Sequence, residues 1–320
     1  MDRPGAVAQL HRVVSRFADR HLPGRDRWCV ALSGGADSLA LTAVAAGLRP
    51  TTALIVDHGL QPGSADVAAA ARDQALRLGC IDALVLSAVV GTAGGPEAAA
   101  RTARYTALRD AHRGAPVLIA HTLDDQAETV LLGLGRGSGP RSVAGMRACD
   151  PPWYRPLLEV PRSQTAAACA ELGLRPWTDP HNSDPRYTRS RLRHEVLPLL
   201  EDVLAGGVAE ALATTAAALR EDNDALDDLA ARAGRDVAVG DGLDTAGLAR
   251  LPTAVRRRVI RAWLLAGGAR GLTDLQIRAV DTLVIDWRGQ GGVAVPSPLT
   301  RRRLFAVRRN GVLGLTQEPV

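Results

Sequence analysis

Two groups of residues in this chain have types and spacings that could do chemistry. The first is Ser33-Gly34-Gly35-Ala36-Asp37-Ser38, which ends the apolar run 28–32 and leads at once into a helical pattern. A strand, a loop of small residues and a helix N-terminus make an anion site, because backbone N–H groups converge there and the helix dipole favours negative charge. Glycines let the backbone approach a phosphate, and the serines add hydroxyl donors. Asp37 is the unusual member, since a carboxylate repels phosphate unless a cation lies between them. A pyrophosphate carrying Mg²⁺ reconciles the two. The loop fits neither G-x-x-x-x-G-K-S/T nor G-x-G-x-x-G, and the chain has no lysine, all 39 basic residues being arginine. The plain alternative is a tight strand-to-helix turn. The second group is His121, Asp125 and Glu128, with Asp124 beside them. Their i, i+4, i+7 spacing puts an imidazole and carboxylates on one face of a helix. Such a cluster could hold Mg²⁺, or orient and deprotonate an amine. An acidic first turn complementing the helix dipole accounts for Asp124 and Asp125 but leaves His121 and Glu128 unexplained.

These groups need elements that bring them together. Apolar strand candidates recur at 28–32, 53–57, 83–87 and 116–120, with helical patterns between them: one closes at Gly79, another opens at Pro96 and closes at Gly114. Strands alternating with helices every thirty residues or so predict βαβ units and a parallel sheet, whose ligands bind at the carboxyl ends of the strands. The chemistry is then expected just after residues 32, 57 and 120. Beyond a Pro- and Arg-rich segment from 151 to 198, residues 208–234 read as a long helix leading into a second domain. That domain has helical patterns near 253–267 and 273–286 and a hairpin turn at Asn310-Gly311. The expected division is a catalytic domain over 1–200, a connecting helix over 201–235 and a basic domain over 236–320. The fold class expected is α/β, a Rossmann-like parallel sheet with a smaller, mainly helical C-terminal domain ending in a hairpin.

Composition narrows the classes. The chain has 320 residues and is 46% hydrophobic, yet its apolar runs break well before the roughly 18 residues a bilayer span needs. Its first twenty residues mix Asp and Arg and lack a signal-peptide core. A cytoplasmic protein without a membrane partner is expected. Cys29, Cys80, Cys149 and Cys169 form no C-x-x-C pair, which argues against a zinc ribbon or an iron–sulfur cage. Residues 251–320 carry a net charge of +8 and the first 250 a net −3. A basic C-terminal part suits a polyanionic partner, although a solvated arginine-rich surface would look the same.

The order S-G-G-x-D-S after a strand resembles the PP-loop of the N-type ATP pyrophosphatases, which cleave ATP between the α- and β-phosphates and adenylate an acceptor. The string H-x-x-D-D-Q-x-E-T at 121–129 resembles the tRNA(Ile)-lysidine synthetases, and related tRNA cytidine thiolases carry similar strings. Further pieces are similar to the synthetases: VDHGLQ (56–61), PEAAARTARY (96–105), GRGSGPRSVAGM (135–146), RPLLEVPR (155–162) and DPHNSDPRYTRSRLRHEVLP (179–198). The resemblance runs from residue 28 to 198. It departs from the family pattern at Pro180-His181-Asn182, where a Ser-Asn pair is common, and at Arg189-Ser190, where Arg-Asn is common. The thiolases use cysteines, usually in C-x-x-C, which this chain lacks.

The resemblance implies an adenine nucleotide alpha hydrolase-like fold and the following roles. Ser33, Gly34, Gly35, Ala36, Asp37, Ser38, His58, Gly59 and Arg101 bind ATP. Asp37, His121, Asp125 and Glu128 are catalytic, with Asp37, Asp125 and Glu128 as Mg²⁺ ligands. Arg104, Arg136, Arg189 and Arg193 contact tRNA, joined by Arg256, Arg257 and Arg302 of the basic domain, although the arginines near 253–267 also suit the solvated side of a helix. The implied reaction activates C2 of the wobble cytidine of the CAU-anticodon isoleucine tRNA with ATP. Free L-lysine then displaces AMP. Rival expectations are a tRNA thiolase, a small-molecule synthetase and a nucleotide-binding regulatory domain without turnover. The oligomeric state is open, a homodimer being one option.

Overall fold

The computed structural model describes residues 5–59, 63–91, 95–137, 139–178, 184–298 and 302–319. Leu60, Gln61, Ser138, Asp179, Pro180, His181, Asn182, Ser183 and the side chain of Glu97, which stand in strings quoted above, lie outside the described residues. The chain divides into two compact units, one of residues 1–131 and 145–214, the other of 132–144 and 215–320.

The first unit opens with α1 (Ala6–His21), β1 (Trp28–Ala31), α2 (Ala36–Leu48), β2 (Thr51–Asp57), α3 (Ser64–Arg77), β3 (Asp82–Ser87), α4 (Pro96–Ala111) and β4 (Val117–Leu118). The helix α5 (Leu123–Gly135) begins in it, and α6 (Pro140–Val143) belongs to the second unit. Then come β5 (Cys149–Asp150), β6 (Trp153–Tyr154), α7 (Arg162–Glu171), α8 (Thr188–Arg191), a single π-helical turn (Leu192–Val196) and α9 (Leu197–Val203). The sheet order is β3-β2-β1-β4-β6-β5, parallel except for the β5–β6 pair. Alternation along β1 sends Trp28 and Val30 into a core with α1, α2, α3 and α7, and Cys29 into one with Leu108 of α4. The four expected strands are present, but β4 keeps only two paired residues of the five expected. Helix α2 is buried nearly all round by Leu39, Ala40, Leu41 and Ala45, so the loop before it rests on a rigid base. Because β1, β2, β4 and β6 run parallel, the loop at 33, His58, His121 and Arg155 all follow strand carboxyl ends on one edge of the sheet.

The second unit contains most of α10 (Val208–Asp236), then β7 (Ala238–Val239), β8 (Gly242–Asp244), α11 (Thr245–Arg250), α12 (Thr253–Ala266), α13 (Asp274–Ile285), β9 (Val293–Val295), β10 (Arg302–Arg309) and β11 (Val312–Pro319). The expected hairpin is β10–β11. Asn310 and Gly311 both have positive φ, +49° and +77°, which matches the twist of the flanking strands. Three short strands extend it to an antiparallel sheet ordered β7-β8-β11-β10-β9. Strands of two or three residues carry too little alternation to be read from sequence. Leu304 and Ala306 point inward from β10 against Ile260, Leu264, Val280 and Leu283 of α12 and α13. Helix α13 starts with a capping box, in which Thr273 and Gln276 each accept the other's backbone N–H.

One expectation is corrected here. Arg256, assigned to tRNA, is turned inward with 6% of its side chain exposed and donates to Asp281, 1% exposed, at 2.6 Å. Arg257, likewise assigned to tRNA, completes the group at 2.8 Å from the same carboxylate. A buried carboxylate needs guanidinium partners, so α12 gives two of its arginines to the fold. Arg256→Ala is expected to lower the unfolding free energy by about 3 kcal/mol in urea titrations, because it strands a buried charge. A double Arg256→Met, Asp281→Leu variant is expected to recover most of that loss. Among the described residues no helix is long and apolar enough to cross a membrane.

Candidate active site

The loop after β1 is held by its own serines. The Ser33 N–H donates to Ser38 Oγ at 3.2 Å, the two hydroxyls lie 3.1 Å apart, and Ser38 Oγ donates to Gly35 O at 2.9 Å. Gly34 has φ +83° and accepts the Trp177 N–H at 2.9 Å. A Cβ at Gly34 would have room, 3.7 Å from Trp177 Cβ, so the backbone angle rather than space requires glycine. Asp37 stands in the first turn of α2, at the positive end of its dipole.

Asp37 joins the second group through α7. Its carboxylate meets the Thr165 hydroxyl and, at 3.4 Å, Arg162 Nε. Burial pushes the Asp37 carboxyl up, and the hydrogen bond from Thr165 and the charge of Arg162 only partly offset it. The same guanidinium reaches Asp125 Oδ1 at 2.7 Å and Glu128 Oε1 at 3.6 Å, while the Arg162 N–H donates to Asp124 at 2.8 Å. Arg162 thus ties the phosphate loop to α5.

Asp125 and Glu128 face the same way from α5, as their spacing requires. Asp125 Oδ2 accepts the Thr122 N–H at 2.8 Å, reaching back over the helix start, and Oδ1 also takes Arg193 at 3.3 Å. Burial acts to raise the Asp125 carboxyl, but Arg162, His121, the Thr122 N–H and Arg193 together hold it below the usual carboxylate range. Glu128 is fully buried and accepts Arg193 Nε at 2.8 Å, with Arg189 at 3.8 Å. The π-turn after α8 supplies Arg193. Arg189 and Arg193, expected to contact tRNA, are therefore directed at Glu128 in this structure.

His121 accepts the Arg155 Nε–H at its Nδ1, 3.2 Å away, which leaves Nε2 as the protonated nitrogen of a neutral ring. Burial, opposed by Asp125 and reinforced by Arg155, Arg101 and Arg104, pushes its pKa down to about 3. The unfolded chain takes up this proton near pH 6.5 and the folded chain does not, so stability falls as the pH drops from 6.5 towards 3. The slope is up to about 1.4 kcal/mol per pH unit. His121→Asn is expected to flatten that part of the urea-midpoint profile.

Arg101 stacks over Tyr105, 4.9 Å from the ring centroid. Arg104 feels both Arg101 and Arg189, and it lowers the pKa of His58, which burial already depresses. The Nδ1 of His58 is buried without a partner among the described residues, and Gly59 donates its N–H to Asp57. Six guanidiniums (Arg101, Arg104, Arg155, Arg162, Arg189, Arg193) thus converge with four carboxylates (Asp37, Asp124, Asp125, Glu128). That surplus of positive charge suits a polyphosphate. Arg136 belongs to the second unit, as does Arg302, which is exposed on β10.

The three carboxylates expected to hold Mg²⁺ do not form one cage. Arg162 stands between Asp37 and Asp125, Arg162 and Arg193 between Asp125 and Glu128, and no His/Cys/Asp/Glu group of metal-site geometry occurs among the described residues. Asp37 alone keeps a weakly paired carboxylate. One carboxylate with phosphate oxygens is a donor set that Mg²⁺ accepts. Arg155, Arg162 and Thr165 received no role from sequence; the first two stand in the RPLLEVPR string, which was the only signal.

Comparison with known proteins agrees with this geometry. Residues 7–200 match the family model described as a PP-loop domain, and residues 243–311 match the one described as a TilS substrate binding domain. The chain is 69% identical over 324 residues to the tRNA(Ile)-lysidine synthase of Mycobacterium tuberculosis, covering 100% of both chains. It is 62% identical to that of Rhodococcus erythropolis, covering 96% of this chain and 95% of the other. Among solved structures, the U34-tRNA thiolase NcsA from Methanococcus maripaludis with its 4Fe-4S cluster shares the fold at 18% identity and a TM-score of 0.55, over 68% of this chain and 80% of that one. With a serine-held phosphate loop tied by one arginine to an acidic helix face, and with relatives this similar over its full length, the chain belongs to the tRNA(Ile)-lysidine synthases.

Proposed function

We propose that the chain uses ATP to join free L-lysine to C2 of the wobble cytidine in the CAU-anticodon isoleucine tRNA. The observation that carries this reading is the Arg162 bridge, which joins Asp37 of the Ser33–Ser38 loop to the Asp125 and Glu128 carboxylates in one network; in this reading the loop binds pyrophosphate and the carboxylate pair binds a cation. ATP lies with its β- and γ-phosphates in the loop from Ser33 to Ser38 and its adenosine by His58 and Gly59. The cytidine O2 attacks the α-phosphorus, forming the O2–P bond as the bond to pyrophosphate breaks; Arg101 and the loop N–H groups stabilise the charge that leaves. The lysine ε-ammonium gives up a proton to water, its amine attacks C2 to form the N–C2 bond, and AMP departs with O2 as the C2–O2 bond breaks, the proton released from the new C–N centre also passing to water. Asp125 and Glu128 bind the ammonium end of lysine by exchange with Arg193. Asp125 is held too acidic to remove the amine proton well, so its part is electrostatic. His121 offers Nε2–H as a donor. Asp37 is the residue that would hold Mg²⁺, which when bound neutralises phosphate charge.

We assign residues 1–200 to catalysis, 201–235 to a connecting helix and 236–320 to tRNA binding, with Arg104, Arg136 and Arg302 as phosphate contacts. The enzyme is placed in the cytoplasm, with a homodimer as the assembly that sedimentation equilibrium tests. The thiolase alternative is disfavoured by the cysteines. All four are free, and burial pushes Cys80 and Cys169 up to about 11, far from a sulfur-carrying thiolate.

The deciding experiment is incorporation of labelled lysine into purified tRNAs with ATP and Mg²⁺, beside Asp125→Ala. Label confined to the CAU isoleucine tRNA, and lost in the variant, is expected. Cleavage of ATP to AMP and pyrophosphate with no label in any tRNA would keep the loop assignment and overturn the lysine assignment.

A further inference from the structure

We propose that Arg141, Arg258 and Arg261, with the side-chain amide of Asn223, form a phosphate-binding site within the second unit. The arginines of α12 divide by face. Arg256 and Arg257 turn to Asp281, whereas Arg258 and Arg261, three residues apart, share another face. There Arg258 Nε donates to Asp227 Oδ1 at 3.1 Å and Nη2 to Asn223 Oδ1 at 2.6 Å, Asn223 and Asp227 being one turn apart on α10. Arg141, ahead of both in sequence, forks onto both oxygens of Asp227, with Nη1 2.7 Å from Oδ2.

One carboxylate is thus shared by two guanidiniums and stands near a third. Arg261 makes no hydrogen bond or salt bridge among the described residues, and burial together with the charge of Arg141 depresses its pKa. These four side chains carry a net charge of +2. Asn223 is 5% exposed, and the bond from Arg258 fixes which of its amide atoms is oxygen. Its Nδ2 is therefore a buried donor, and it has no partner. Surplus guanidinium charge beside an unused N–H donor is completed by an anion with several acceptor oxygens, and a phosphate matches both. Arg141 and Asp227 are 39% and 36% exposed, so that edge of the group is open to solvent. Two sources carry this chemistry, the backbone of an RNA and free phosphate. The RNA source rests on the tRNA substrate proposed above.

The test uses the full-length chain, Arg261→Ala and, as a control, Arg250→Ala, Arg250 being an exposed arginine at the end of α11. Since Arg261 makes no hydrogen bond or salt bridge here, its removal takes no such contact from the fold. Binding of the CAU isoleucine tRNA is measured from 50 to 200 mM salt, and thermal unfolding with and without inorganic phosphate. For an RNA phosphate, Arg261→Ala is expected to weaken binding about 5–10-fold and reduce the salt slope by about 1, with Arg250→Ala like wild type. For free phosphate, tRNA affinity is unchanged and phosphate raises the midpoint of wild type but not of Arg261→Ala. Equal behaviour of wild type and Arg261→Ala in both arms, or an equal loss in Arg250→Ala, overturns the site. Lysine transfer by wild type is scored separately, so failure of the site and failure of the proposed reaction are distinguishable.

Discussion

Replacing Arg162 by alanine is expected to destabilise the first unit by about 3 kcal/mol and to abolish turnover. Its guanidinium is the contact that Asp37, Asp125 and Glu128 have in common, at 3.4, 2.7 and 3.6 Å. Removing one partner from a desolvated ion group leaves uncompensated charge, which costs about 3–5 kcal/mol; Arg193 remains on Asp125 and Glu128, so the lower end applies. The pH dependence follows in sign. Asp125 is depressed in the fold, so it contributes stability above the unfolded carboxylate pKa and loses it as pH falls. Without Arg162 that depression shrinks, and less of this stability is present at pH 7 to be lost in acid. Urea titrations at pH 7 and at pH 3, below the unfolded carboxylate pKa of about 3.9, with pyrophosphate release assayed at pH 7, read both effects. Arg162→Lys is expected to restore part of the stability but not the rate, because one ammonium cannot span three carboxylates. A variant Arg162→Ala with wild-type stability and turnover would refute the bridge.

Asp37→Asn is expected to do the opposite to stability and as much to catalysis. Burial pushes the Asp37 carboxyl up, so the fold carries its charge at a cost at neutral pH. The isosteric amide removes that cost and keeps a group for Thr165 to bond. Stability should equal or exceed wild type, while tRNA-dependent pyrophosphate release falls by about 10³-fold, the loss typical when a preorganised charge at a reacting phosphate is removed. A higher Mg²⁺ requirement for the residual rate is the second readout. An unchanged rate with unchanged Mg²⁺ dependence would remove Asp37 from the site.

Much of this site was legible before folding was considered, and the reason differs by residue. The phosphate loop is local: a strand end, a positive-φ glycine and a helix start lie within a few consecutive residues, so composition alone carries its geometry. Asp125 and Glu128 were legible because helical periodicity converts spacing into a shared face. Arg155 and Arg162 were not, because no period relates them to His121 or Asp37. Parallel pairing of β4 with β6, in the register Leu118 with Tyr154, carries Arg155 to His121, and α7 then delivers Arg162.

The basic C-terminal part shows the same division from the other side. Sequence by itself determined its net charge of +8, the Asn310-Gly311 turn and the two helices α12 and α13. It could not say which arginines are spent on the fold. Arg256 and Arg258 are two residues apart and chemically identical, yet one is buried on Asp281 and the other turns to Asp227 and Asn223. Local spacing places residues on a face; only the elements packed against that face decide whether a charge meets a carboxylate or water. That choice belongs to tertiary structure, because the partners lie 25 and 31 residues away along the chain.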